Sequence, residues 1–203
     1  MILSHLNKVP QIDLSAYVAP TATICGDVSI AAGVRVMFGA CVIAEGAPIT
    51  IGEDSIVMEN AVLRSTDVHA LHIGKNCLIG PNAHVVGCQL DDCVFIATGV
   101  SIFHGAKLGF ASEVRVNGVV HLQTALPPHT TVPIGWIAVG DPAQIFPPDR
   151  HDDIWAVQKP LNFPKFVYGV ERPSEGETNM REITHRRSAS LGAHKDDKPV
   201  ENA

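Results

Sequence analysis

Branched aliphatic residues recur at every sixth position through the middle of the chain. This period matches neither the turn of an α-helix, about 3.6 residues, nor the two-residue alternation of a half-buried strand. It predicts repeated units of one short strand and one turn, three of which close a triangular coil. Because one coil cannot bury its aliphatic side chains alone, the coils must stack into an all-β domain. The longest unbroken series is Leu90, Ile96, Ile102, Leu108, Val114, Val120, Leu126 and Val132.

The same spacing begins near Val18 and is interrupted by two insertions, at residues 44–50 and 65–71. Insertions leave a stack of coils intact but place loops on its edges, where functional residues are common. Hydrophobic residues make up 46% of the chain and aromatic residues only 5%, so the predicted core consists of small and branched aliphatic side chains. We expect this repeat domain to cover residues 1–146.

The pattern changes after Pro147. We expect Asp149 to cap a short helix that ends at Gln158 and packs on the coils, and residues 159–170 to pack in extended form. The C-terminal helix and this extended segment therefore occupy residues 147–170. In residues 171–203 aliphatic side chains become rare, and burial there cannot offset the entropy of ordering. We predict a flexible, extended tail.

Charge and cysteine content limit the possible partners. The net charge is −6 and the repeats contain no basic patch, which argues against nucleic-acid binding. Residues 1–10 contain no long apolar run, so we expect neither a signal peptide nor a membrane segment. The odd count of five cysteines favours reduced thiols in the cytoplasm. Cys77 and Cys93 occupy positions of small residues in their repeats, and we predict that both are buried.

Two motifs follow the repeats: Val-Pro-Ile-Gly-Trp at residues 132–136 and Val-Gly-Asp-Pro-Ala at 139–143. With the hexads, both insertions and the following helix, the chain resembles the left-handed β-helix hexapeptide-repeat superfamily over residues 18–155. Within it, the chain is similar to the γ-class carbonic anhydrases. The resemblance implies a left-handed parallel β-helix, a homotrimer, and zinc held by three histidines across a subunit interface, with an open position for water.

The positions of those three histidines hold other residues here. Arg64 follows Val62 and Leu63 where the first histidine is expected, and Pro81 and Val86 occupy the other two positions. Proline and valine cannot bind zinc, and an arginine repels it. We therefore expect no metal at this family zinc site, and no cofactor.

Other histidines are candidates for a replacement site. His69, His72 and His84 lie near the family zinc site in sequence and offer imidazole ligands or an acid/base group. The alternative is that all three are ordinary surface or interface residues. His104 and His121 follow buried repeat positions by two residues and one residue, so we predict that both point into solvent.

Arg64 also allows two interpretations. Its guanidinium is a candidate for binding a carboxylate or phosphate in place of the metal, together with Glu59 and His84. Alternatively, it forms a salt bridge with Glu59 or Glu45.

Three functions are compatible with these features. The first is a trimer without carbonic anhydrase activity that binds a small anionic ligand in the cleft between subunits. The second is a coenzyme-A-dependent acyltransferase with a histidine base. The third is a metal-dependent hydratase with a rebuilt histidine site. Because a fold does not determine chemistry, whether the chain is an enzyme stays open at this point.

Overall fold

A computed structural model describes residues 1–200. The chain winds into a parallel β-helix whose coils each contribute one short strand to each of three flat faces, as the repeat predicts. Helices follow only after the last coil. Within residues 1–200, no helix is both long enough and apolar enough to cross a membrane.

The three faces take every third strand along the chain. Face 1 consists of β1 (Ile2–Ser4), β4 (Thr23–Cys25), β7 (Cys41–Ile43), β10 (Val62–Arg64), β13 (His84–Val86), β16 (Ser101–Ile102), β19 (Val119–Val120), β22 (Ile137–Val139), β23 (Gln144–Phe146) and β24 (Lys198–Pro199). Face 2 consists of β2 (Gln11–Ile12), β5 (Val28–Ile30), β8 (Ile49–Ile51), β11 (Leu71–Ile73), β14 (Gln89–Leu90), β17 (Lys107–Leu108) and β20 (Ala125–Leu126). Face 3 consists of β3 (Tyr17–Val18), β6 (Arg35–Val36), β9 (Ile56–Val57), β12 (Leu78–Ile79), β15 (Phe95–Ile96), β18 (Glu113–Val114) and β21 (Thr131–Val132).

The repeat residues stack in register inside the coils. On face 1, Leu63 pairs with Val42 in the preceding coil and with Val85 in the following one, and all three are fully buried. Each aliphatic side chain removed from water in this way contributes about 1.5–3 kcal/mol. The core is therefore a set of aligned aliphatic columns, one along each face.

The corners of the coils need backbone in the left-handed region, which asparagine and glycine adopt with least strain. Asn60, Asn82 and Asn117 all have φ between 55° and 57°. Cys93 occupies such a corner with φ of 62°, and its side chain is exposed. The prediction that Cys93 is buried is therefore wrong, because the corner turns its side chain outward, whereas Cys77 is buried as predicted.

The two insertions lie against each other at one edge of the stack. The Ser65 hydroxyl donates to the carbonyl of Ala47 (2.5 Å) and accepts from the amide of Glu45 (3.2 Å). The amide of Ala47 donates to the carbonyl of Thr66 at 3.0 Å. Each loop thus fixes the conformation of the other, beside face 1.

The segment after the last coil differs from the sequence prediction. Helix α1 (His151–Gln158) is present, but its N-cap residue is Arg150 and no side chain caps it, so the predicted Asp149 cap is wrong. Residues 159–170 are helical, not extended. A 3₁₀ turn (Lys159–Leu161) ends at Asn162, whose left-handed φ of 46° starts helix α2 (Phe163–Tyr168). Pro164 suits the first turn of α2, where its missing N–H has no partner to lose.

Most of residues 180–199 also forms regular structure, in contrast to the predicted extended tail. Helix α3 (Met180–Leu191) buries Ile183, a 3₁₀ turn (Gly192–Asp196) follows, and β24 pairs antiparallel with β1. Composition misses this order because it comes from main-chain pairing, a few polar contacts and a single buried apolar side chain in α3, Ile183. The tail prediction also covers residues 201–203, which lie outside the described residues.

Candidate functional site

A cleft of about 580 Å³ opens between the coils and the C-terminal helices. Face 1 and the second insertion form one wall, and α2 and α3 form the other. The coil wall includes Arg64, Asp67, His84, Val86, Phe103 and His104, and the helix wall includes Phe163, Lys165, Phe166, Tyr168, Arg186 and Arg187. We call this space the Arg64 cleft.

Arg64 is the last residue of β10, in register with Ile43 and Val86 on the neighbouring coils. Its guanidinium forms a salt bridge with Glu45, whose carboxylate is buried. Of the two proposed partners, Glu45 is therefore the one in contact. Glu59 lies in the turn after β9 and does not line the cleft. The Nε atom of Arg64 is buried and has no hydrogen-bond partner within the described chain, so this N–H is unsatisfied.

The predicted histidines are not brought together. His84 lies on face 1 and lines the cleft, whereas His72 lies on face 2 and contacts the hydroxyl of Thr50 at 2.6 Å. His69 lies in the second insertion against Phe166, with ring centroids 4.8 Å apart. Within residues 1–200, no group of three metal-binding side chains includes any of these histidines. The geometry therefore does not support a zinc site rebuilt from them.

The prediction of solvated His104 and His121 is wrong. His104 is buried and lies edge-on to His69 at 5.5 Å, and Phe163 of α2 lies over His121 at 6.3 Å. Burial, more than any neighbouring charge, lowers the pKa of His104 and of His121 to about 4, so both imidazoles are neutral at pH 7. Both side chains do point away from the axis of the coils, as the repeat predicts, but the segment containing α2 covers them there.

The helix wall adds cations that sequence reasoning missed. Arg186 pairs with Glu182 (2.5 Å) and Lys165 with Glu171 (2.5 Å). Within the described chain Arg187 has no acidic partner at salt-bridge distance. Burial, and then the nearby Arg64 charge, lower the pKa of His84, so this imidazole adds no positive charge at neutral pH. Among the described residues, the cleft thus contains one guanidinium without an ion-pair partner, that of Arg187, and one carboxylate, that of Asp67, in the opposite wall. Arg187 comes from a segment that composition alone assigned to a flexible tail.

No family model matches the chain. It is 28% identical over 149 residues to the mitochondrial gamma carbonic anhydrase 1 of Arabidopsis thaliana, covering 70% of this chain and 52% of the relative. It is 26% identical over 159 residues to a carbonic anhydrase of Geobacillus kaustophilus, covering 78% and 84%. The chain spans about half the length of the plant relatives it matches. Among solved structures, a putative acetyltransferase of Bacillus cereus superposes with a TM-score of 0.62 at 18% identity, covering 95% of this chain and 94% of that one.

Proposed function

We propose that this chain, a left-handed β-helix protein of the hexapeptide-repeat superfamily similar to γ carbonic anhydrases, binds a small anion in the Arg64 cleft. It does so without a metal at the family zinc site. The observation that carries the proposal is that two arginines line this cleft from opposite walls: Arg64, at the position where the resemblance places a zinc histidine, and Arg187.

The two arginines have different roles. The charge of Arg64 is compensated by Glu45, so this partly exposed side chain contributes N–H donors more than a net charge. Arg187 has no ion-pair partner within residues 1–200 and contributes a positive charge, which the Asp67 carboxylate in the opposite wall offsets in part. A guanidinium offers several donors in one plane, which suits the oxygen atoms of a carboxylate or phosphate. The aromatic rings of α2 reduce the water around these groups and strengthen the attraction.

The oligomer is part of the same proposal. The resemblance to γ carbonic anhydrases implies a homotrimer, and the outer surface of face 3 carries an apolar row formed by Ile56, Leu78 and Phe95 in register. A buried subunit interface would remove this row from water. Light scattering that finds a stable monomer at micromolar concentration contradicts the trimer. The Arg64 cleft has both walls within one chain, so anion binding does not depend on that outcome.

A second candidate function, acyl transfer, is favoured by a different observation. His84 and His104 both line the cleft, and the pKa of each is lowered, so each imidazole is unprotonated at pH 7 as a general base must be. Likeness to a putative acetyltransferase at 18% identity supports only the shared fold. Turnover of acetyl-coenzyme A that is lost in His84→Gln would favour this function.

The experiment for anion binding is calorimetric titration of the full chain with inorganic phosphate and with acetate. We expect binding that weakens about tenfold or more in Arg187→Gln, since a hydrogen bond to a charged group contributes about 1.5–3 kcal/mol. Arg115→Gln is the matched control, because Arg115 is an exposed arginine paired with Glu113 on face 3.

Arg64→Ala is a poor first test, because it leaves the buried Glu45 carboxylate without its partner. Equal affinity in Arg187→Gln and the native chain would overturn the proposed site. Carbon dioxide hydration above background would contradict the loss of the family chemistry.

A further inference from the structure

Four side chains from distant parts of the chain meet at the β1 end of the stack. His5 follows β1, Cys25 ends β4, His194 lies in the last 3₁₀ turn, and Asp197 precedes β24. Each offers one nitrogen, sulfur or oxygen atom, and these four atoms all lie within 4.8 Å of one another. We call these four residues the terminal cluster.

The carboxylate of Asp197 is the centre of the terminal cluster. Its Oδ1 lies 2.7 Å from Nδ1 of His5, and its Oδ2 lies 2.7 Å from Nδ1 of His194. The thiol of Cys25 donates to Oδ2 at 3.4 Å. The two imidazole rings stack with centroids 4.2 Å apart, and both direct Nδ1 at the Asp197 carboxylate.

We propose that His5, Cys25, His194 and Asp197 bind a divalent cation of the zinc class. Two imidazole nitrogens, one thiolate sulfur and one carboxylate oxygen are the donor types that zinc takes in four-coordinate protein sites. With four protein ligands no position stays open for water, which indicates a structural role and not a catalytic one. His5 and Cys25 are both buried, so the cation would be shielded from solvent on that side.

Burial raises the pKa of the Cys25 thiol to about 12, and the Asp197 charge adds to the effect, so without a cation Cys25 is a neutral donor. A bound cation stabilises the thiolate, and the thiol proton leaves to the solvent. Each histidine then binds through Nδ1 and keeps a single proton on Nε2. Any second imidazole proton also leaves to the solvent.

An outer carboxylate is already in place. Nε2 of His194 lies 3.4 Å from Oε1 of the buried Glu45. Metal-bound histidines commonly donate their other N–H to a carboxylate, which fixes the tautomer and the ring orientation. Glu45 is also the partner of Arg64, so it separates the terminal cluster from the Arg64 cleft.

With Arg64, Pro81 and Val86 at the positions of the family zinc ligands, we expect zinc in the isolated protein to lie in the terminal cluster and not at the family site. The cation would hold the last 3₁₀ turn against the first coils. Because this turn directly follows α3, the cation would also fix the C-terminal end of that helix.

The test is metal content of the full chain, produced without a polyhistidine tag in zinc-supplemented medium and dialysed without chelator. We expect one zinc per chain by mass spectrometry in the native protein and in Cys93→Ser, and less than a tenth of that in Cys25→Ser. Cys93 is the control because it is a free, exposed thiol outside the terminal cluster. Native protein that contains no zinc, or Cys25→Ser that contains as much as the native chain, would overturn the proposal.

Cobalt provides a second measurement that needs no folded variant. After the native chain is stripped and reloaded with Co²⁺, we expect a thiolate-to-cobalt charge-transfer band together with the intense visible bands of a tetrahedral site. Octahedral cobalt without the charge-transfer band would also overturn the proposal. Phosphate affinity is measured separately from metal content. A chain without zinc would therefore leave the anion proposal intact, and a chain that does not bind phosphate would leave the metal proposal intact.

Discussion

Oε1 of Glu45 is shared by Arg64 and His194, and the contact to His194 spans 149 residues of sequence at 3.4 Å. One buried carboxylate thus joins the first insertion, the coil face and the C-terminal turn. A residue with contacts to three separate segments should affect both stability and the position of the C-terminus.

Glu45→Gln removes the charge that compensates the half-buried Arg64. Leaving one member of a buried ion pair unmatched costs about 3 kcal/mol or more, so we expect the free energy of unfolding in urea to fall by that amount. The matched control is Glu53→Gln, which breaks an exposed pair with Lys75 and should cost less than about 1 kcal/mol. Equal effects of the two changes would show that the Glu45 pair adds nothing beyond a surface contact.

Acid should destabilise the fold through His104. The pKa of His104 is lowered to about 4 in the folded chain, whereas an ordinary histidine, as in the unfolded chain, has a pKa of 6.5. As the pH falls, the unfolded state therefore binds the proton first. The free energy of unfolding is therefore highest above pH 6.5 and decreases towards pH 4, by up to about 3 kcal/mol for this one group. Unfolding measured between pH 7.5 and 4.5 should depend less on pH in His104→Phe. If the free energy of unfolding of His104→Phe decreased with pH as steeply as that of the native chain, His104 would not be the group responsible.

Leu63→Ala creates a cavity in the middle of the stack. Leu63 is fully buried between Val42 and Val85, and such truncations cost about 2–5 kcal/mol. Val62→Ala on the outer side of the same strand removes a half-buried side chain and should cost less. Chemical denaturation of the two variants, measured side by side, tests whether the side chain of Leu63 points into the core and that of Val62 points outward, as the repeat predicts. Equal losses of stability would contradict that assignment.

Asp197→Asn should release the C-terminal segment. Asp197 accepts hydrogen bonds from His5, His194 and Cys25, and with one acceptor oxygen fewer these contacts cannot all persist. We expect faster tryptic cleavage at Arg181 and Arg187, while the coils stay intact. The neighbouring Asp196→Asn, exposed and outside the terminal cluster, should be cleaved at the native rate. Unchanged cleavage in both variants would mean that Asp197 does not anchor α3.

Period and local chemistry explain what could be predicted. Leu63, Val85 and Ile102 are buried because spacing alone determines which side of a short strand faces the axis. The helix over His121 and the meeting of His5 with Asp197, 192 residues apart, were not predictable in this way. Both depend on long-range packing of C-terminal segments that carry no repeat. A few specific contacts position these segments, and the amino-acid composition of a segment does not reveal such contacts.

Both ends of face 1 carry a strand that runs against the others. β24 pairs antiparallel with β1, and β23 pairs antiparallel with β22. A bare parallel edge offers a row of free N–H and C=O groups to the same edge of another molecule, which is how stacked strands grow into fibrils. At the β1 end the outermost strand is Lys198–Pro199, which combines a charge with a residue that has no N–H to donate. A chain truncated before Lys198 would expose β1 itself, and we expect it to elongate end to end and form thioflavin-positive fibres where the full chain does not.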